Sequence, residues 1–132
     1  MSKLLDFLVE HPVDNLTDEV VVSPRLAQFP FKIKAIGGLA FSEYQKLATK
    51  VGRHNKVEFD SKTFNELVVL NHTVDPDFRD AESIKKAGCT SPEQFLYKSL
   101  VAGEISELAQ RISSLSGFDK EPDELVEEAK NS

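Results

Sequence analysis

The sequence has 132 residues, of which 40% are hydrophobic and 29% are charged, and these values favour one folded domain over a disordered chain. Its formal net charge of −6 disfavours a nucleic-acid partner, because acidic side chains repel a phosphate backbone. The single cysteine, Cys89, excludes an internal disulfide framework and is typical of a reducing cytoplasm.

The first ten residues predict a short amphipathic helix. Its apolar side chains are Leu4, Leu5, Phe7, Leu8 and Val9. The segment contains Asp6 and is much shorter than an export signal or a membrane span, so we expect packing on a core or a partner rather than membrane contact. Because the polar residues 11–18 that follow favour a turn, the helix over residues 1–10 is expected to be attached only loosely to the domain.

Two strands are predicted next, over residues 19–23 and 30–36, because each is rich in β-branched or alternating apolar residues. The six residues between them form a wide loop, so the sequence predicts a β-hairpin that packs on helices. Lys32 and Lys34 lie on one face of the second strand and form a small basic patch with Arg25. Protection of an edge strand is the favoured interpretation of this patch, ahead of a site for an acidic partner.

The remaining chain predicts helices, since its apolar residues recur at helical spacing. The expected helices span residues 41–51, 61–71, 81–87 and 92–117, the last either as two helices or as one that is kinked near Gly103. The strongest local signal is at Ser91, which is followed by Pro92 and by Gln94 at the third position of a capping box. A short strand is also possible over residues 56–59.

The C-terminal residues 119–130 contain six acidic residues and two lysines, which is a net charge of −4. The sequence therefore predicts an α+β, mainly α-helical fold over residues 1–118. In this fold an N-terminal β-hairpin packs on a bundle of about four to five helices. An acidic tail over residues 119–132, weakly helical or disordered, is expected to follow.

No group of residues predicts an active site, a metal centre or a cofactor site. The three histidines lie far apart in the chain and have no partner at metal-ligand spacing: His11, His54 and His72. The acidic cluster of residues 75–82 fails the calcium-loop pattern, because Asp80 and Lys86 stand where glycine and glutamate are required. It is better interpreted as a solvated turn that caps the next helix. A small enzyme that uses Cys89 as a nucleophile is the least favoured function class.

Five segments of the chain together resemble the XkdN-like phage tail assembly chaperones. They are Pro30–Ile36, Val74–Glu82, Leu100–Leu108, Ser116–Asp119 and Glu124–Asn131. The resemblance runs in order over nearly the whole chain. This sequence departs from the family pattern in a longer polar stretch, Gly52–Ser61, and in residues 1–8.

The resemblance implies a non-enzymatic chaperone that acts in the bacterial host cytoplasm and is absent from the mature virion. Its implied client is the tape measure protein, a long and largely helical rod whose apolar stripes aggregate unless they are covered. The resemblance also implies a longer product of ribosomal frameshifting that recruits the tail tube protein. Partner contacts are expected on the last helices and the tail, at Glu104, Glu107, Leu125 and Val126. The alternative is a phage structural adaptor or tail completion protein that stays in the particle.

Overall fold

The computed structural model describes residues 2–118, and within that range the chain forms six α-helices and five short β-strands. The helices are α1 (Lys3–Glu10), α2 (Gly38–Ala48), α3 (Ser61–His72), α4 (Ala81–Lys86), α5 (Pro92–Ser99) and α6 (Ala102–Ser113). The strands are β1 (Thr17–Val20), β2 (Phe31–Lys34), β3 (Thr49–Val51), β4 (Val57–Phe59) and β5 (Thr73–Asp75). The predicted α+β, mainly helical fold class is confirmed. The predicted acidic tail over residues 119–132 lies outside the described residues.

The main sheet has three antiparallel strands in the order β1, β2, β5. β1 and β2 form the predicted hairpin, in which Thr17 pairs with Lys34 and Val20 pairs with Phe31. The first strand was predicted over residues 19–23 but spans Thr17–Val20, so the loop is longer than the predicted six residues. β5 was not predicted, because it has only three residues and follows α3 directly. Since β5 pairs with the other side of β2, Lys32 and Lys34 lie on the central strand, and their interpretation as edge protection is wrong.

A second, separate hairpin is formed by β3 and β4. The helix predicted over residues 41–51 is wrong at its C-terminal end, because α2 stops at Ala48 and Thr49–Val51 form β3. The β-branched residues in this segment favour the extended backbone over the last turn of a helix. His54 and Asn55 reverse the chain between the strands with left-handed φ angles of 62° and 60°.

The core lies between the main sheet and the helices α3, α5 and α6. Its least exposed large side chains are Ile33, Val68, Val69, Leu96, Leu108 and Ile112. α3 lies centrally in this core, because it contacts α2, α5 and α6. This core holds β2 and α6 in fixed positions relative to each other.

The segment predicted over residues 92–117 forms two helices, α5 and α6, with an extended break at Leu100. Ser91 caps α5 as predicted, because its hydroxyl oxygen accepts a hydrogen bond from the Gln94 N–H at 3.2 Å. The Gln94 side-chain oxygen accepts a hydrogen bond from the Thr90 N–H at 2.8 Å. A capping box would use the N–H of Ser91, so the observed contact lies one residue earlier than predicted. Gly103 lies inside α6 and does not mark the break.

Candidate protein-binding surface

α1 presents an apolar face that the described chain does not cover. None of its eight residues is buried. Its large apolar side chains are between 55% and 74% exposed: Leu4, Leu5, Phe7, Leu8 and Val9. Lys3, Asp6 and Glu10 recur at three- and four-residue intervals and therefore form a narrow polar stripe on the other side. The result is the pattern of a helix that packs against a partner.

Side-chain contacts within the segment stabilise α1 at its two ends. The Ser2 hydroxyl oxygen accepts a hydrogen bond from the Leu5 N–H at 3.3 Å, and the Phe7 ring stacks on His11 with centroids 4.1 Å apart. A helix of this length is marginal by itself in water. Burial of Leu4, Phe7 and Leu8 against a partner would contribute roughly 4–9 kcal/mol before the costs of association. We therefore expect α1 to be stabilised by whatever covers it.

A second apolar feature is a cavity of about 620 Å³ between the β1–β2 loop and α5. Its apolar lining includes Leu26, Phe29, Phe31, Phe78, Phe95 and Leu100. Phe29 is 67% exposed at this site, and Phe78 packs edge-on against Phe95 with centroids 5.6 Å apart. The cavity lies at the Phe31 end of the β1–β2 ladder, whereas the chain from α1 enters at the Lys34 end. The two apolar features are therefore attached to opposite ends of one hairpin.

Glu104 holds the β1–β2 loop, which forms one wall of this cavity, against α6. One carboxylate oxygen accepts hydrogen bonds from Arg25 at 2.6 Å and from the Val101 N–H at 2.9 Å, and the other accepts from the Ser23 hydroxyl at 2.5 Å. Glu104 is only 1% exposed, so the expectation that it lies on the free surface of the last helices is wrong. Its partner Arg25 lies 79 residues earlier, and helical periodicity carries no information about such a pair.

The hydrogen bond from Arg25 is the largest influence on the pKa of Glu104 and lowers it from 4.5 to about 2, although burial acts in the opposite direction. Because the pKa is lower in the folded than in the unfolded protein, ionised Glu104 stabilises the fold above pH 4.5. This stabilisation is lost as the pH falls from 4.5 towards 2.

We predict that Glu104→Gln lowers the Tm at pH 7 by several degrees and makes the Tm less dependent on pH between 4.5 and 2. The dependence should not vanish, because the hydrogen bond from Thr63 lowers the pKa of Asp60 to about 2 in both proteins. Thermal unfolding followed by circular dichroism at stepped pH measures this. The matched control is Glu107→Gln, which removes a surface pair with Arg111 at 2.7 Å and should change the Tm little. Equal effects of the two variants would contradict the role of Glu104.

The structure describes two of the four predicted contact residues, Glu104 and Glu107. Glu107 lies on α6 at the described surface, partly exposed and paired with Arg111. Leu125 and Val126 lie outside the described residues. The apolar face of α1 was predicted from the sequence, whereas the cavity was not. The local signal for the cavity was Phe29, an aromatic residue in the predicted loop that the structure shows to be exposed.

The described residues provide little support for a catalytic or metal-binding site. His72 is buried and packed in the fold, with Nε2 at 2.8 Å from the Tyr44 hydroxyl and Nδ1 at 3.2 Å from the Ala35 carbonyl. Burial also lowers its pKa. Within residues 2–118, no cluster of three or more histidine, cysteine or acidic side chains is arranged to hold a metal ion. Over the same range, no helix combines the length and the apolar character needed to cross a membrane.

Known proteins resemble the chain over most of its length. A model of the family described as phage XkdN-like tail assembly chaperone protein matches residues 4–130. The phage-like element PBSX protein XkdN of Bacillus subtilis (strain 168) is 28% identical over 107 residues, which cover 77% of this chain and 72% of that protein. The crystal structure of the protein YqbN matches with a TM-score of 0.67 and 25% sequence identity, over 90% of this chain and 99% of that chain. The family match begins at Leu4 in the first turn of α1, includes every later described helix and extends beyond α6.

Proposed function

Because the chain belongs to the phage XkdN-like tail assembly chaperone family, we propose that it binds and solubilises the tape measure protein during assembly of a long phage tail. The single observation that carries this proposal is α1, a helix that exposes five large apolar side chains and buries none. Such a face is costly in a protein without a partner, since exposed apolar patches promote aggregation.

The proposed contact is a pairing of helices. A helical client with an apolar stripe can pack along α1, so that side chains spaced three and four residues apart on each helix interdigitate. Leu4 and Leu8 are four residues apart and lie on one face of α1. Each such contact covers a short piece of client stripe, and many copies would cover a long client.

Modest affinity at each site suits this role. The chaperone must leave when tail tube subunits surround the client, and one eight-residue helix buries far less area than a permanent interface. Several weak contacts along one client still give strong overall retention, because binding of each further site is favoured by proximity. Glu107, Leu125 and Val126 are proposed as secondary contacts, and Glu104 is not, because it is buried.

The remaining parts of the proposal follow from this role. The protein acts in the host cytoplasm, carries out no catalysis and is absent from the finished particle. A longer product that arises by ribosomal frameshifting and recruits the tail tube protein is also proposed. Mass spectrometry of phage-producing cells should find peptides that continue past Lys130 in a second reading frame, and their absence would remove this part of the proposal.

Coexpression tests the proposed function. The tape measure protein from the same genome is expressed alone and with this chain, and its soluble fraction is measured after centrifugation. We expect most of it to sediment when expressed alone and to stay soluble with the chaperone. An unchanged soluble fraction, together with this chain in purified particles, would favour a structural adaptor instead.

The variant Cys89→Ser tests whether activity depends on a nucleophilic thiol. Cys89 is partly buried, and its thiol lies near the Ala87 carbonyl at 3.8 Å. We expect the variant to solubilise the client as well as the native chain does, because no proposed contact involves this side chain. Loss of activity in a variant that keeps its native Tm would support the enzyme class.

A further inference from the structure

The β3–β4 hairpin exposes every residue from Thr49 to Phe59. In its register, Thr49 pairs with Phe59 and Val51 pairs with Val57. Paired residues share one face of a hairpin, so these four side chains form one side, while Lys50 and Glu58 form the other. A two-stranded hairpin is marginal by itself in water, and it gains stability when its apolar side is packed.

The apolar side of the hairpin continues into a row of four aromatic rings. Phe59 lies 5.4 Å from Phe64, Phe64 lies 5.5 Å from Phe41, and Phe41 lies 4.9 Å from Phe118, measured between ring centroids. The two ends of the row are the most exposed, with Phe59 at 55% and Phe118 at 58%. We call the surface formed by Val51, Val57 and these four phenylalanines the aromatic row.

The hairpin and the residues next to it in the chain are rich in basic side chains. Residues 46–62 contain five basic and two acidic side chains, a net charge of +3 in a chain whose total is −6. The basic side chains are Lys46, Lys50, Arg53, Lys56 and Lys62. An occupant with matching chemistry is therefore acidic on one side and apolar on the other.

The chain itself supplies such a segment. Residues 119–130 begin directly after Phe118, carry a net charge of −4, and contain Leu125, Val126 and Ala129 at spacings that share one helical face. Six residues lie between Phe118 and Leu125, and the seven steps from Phe118 to Leu125 span up to roughly 23 Å when the chain is fully extended. This reach exceeds the row, whose neighbouring centroids are no more than 5.5 Å apart.

We propose that residues 119–130 dock along the aromatic row of their own chain, with Leu125 and Val126 on the exposed rings and the acidic side chains towards the basic hairpin. Attachment at residue 118 keeps the segment at an effective concentration on the order of 1 mM. An intrinsic dissociation constant of about 0.1 mM is then enough to keep the row occupied about 90% of the time. In this state Leu125 and Val126 are covered, so their proposed secondary contacts with the client form only when the segment leaves the row.

Hydrogen exchange followed by mass spectrometry tests this docking without any client. The native chain is compared with the variant Leu125→Ser and Val126→Ser, and with a chain truncated after Phe118. We expect amide exchange in residues 49–59 to be roughly tenfold faster in both altered proteins, while exchange in α3 and α6 stays unchanged. Added salt should reduce the protection in the native chain, because part of the attraction is between charges.

The matched control is Leu39→Ser with Leu47→Ser, which removes two exposed leucines of α2 and should leave exchange in residues 49–59 unchanged. Equal exchange in the native and truncated chains would overturn the proposal. Protection that appears only at high protein concentration would also overturn it, because the segment would then come from a second copy.

Discussion

Leu4→Asp combined with Leu8→Asp is expected to abolish the recovery of soluble tape measure protein in the coexpression assay. Both leucines are at least 55% exposed and lie on one face of α1, so the substitutions place two carboxylates in the proposed contact. Loss of two buried leucines costs roughly 3–6 kcal/mol, which corresponds to a dissociation constant at least about 100-fold higher. The soluble fraction of the client should fall to its value without chaperone.

The control for this prediction carries the same change in charge. Leu39→Asp with Leu47→Asp alters two leucines of α2 that are 77% and 63% exposed, outside the proposed contact. This variant should keep the client soluble. The Tm of the α1 variant should match that of the native chain, because no residue of α1 is buried. Loss of solubilisation in the α2 variant, with full activity in the α1 variant, would place the contact elsewhere.

Leu108→Ala is expected to lower the free energy of unfolding by about 3–5 kcal/mol. Leu108 is 0% exposed on α6, which packs against α3 at the centre of the core. The substitution leaves a cavity that close-packed neighbours fill only in part, so packing is lost in addition to the transfer free energy. Urea unfolding followed by circular dichroism measures the difference.

The matched substitution is Leu39→Ala, in which the same atoms are removed from a side chain that is 77% exposed. We expect this variant to change the free energy of unfolding by no more than about 0.5 kcal/mol. A loss below about 1 kcal/mol for Leu108→Ala would contradict the position of α6 in the core.

The elements that could be predicted from the sequence are those specified by neighbouring residues. Asp60 caps α3, because its side chain accepts hydrogen bonds from the N–H groups of Lys62 and Thr63. Asp80 caps α4 in the same way, through the N–H of Ser83, and confirms the interpretation of the acidic cluster as a capping turn. Gly88 closes α4 with a φ of 75°, a conformation that glycine adopts without steric cost.

The elements that could not be predicted depend on residues far apart in the chain. β5 is too short to show alternation and exists because it pairs with Lys32 and Ile33 of β2. Glu104 is buried because it pairs with Arg25, which lies far away in the sequence. The periodicity of α6 alone did not indicate how exposed the Glu104 side chain would be. For the candidate surface, the apolar face of α1 was evident from local spacing. The cavity and the aromatic row appear only when separate elements come together.

Light scattering coupled to size-exclusion chromatography, applied to the coexpressed proteins, tests whether this chain forms a soluble complex with the tape measure protein. We expect one soluble peak that contains the tape measure protein with several copies of this chain, and loss of that peak for the Leu4→Asp and Leu8→Asp variant. Elution of the native chain by itself, at a mass that includes no client, would contradict the proposed chaperone function.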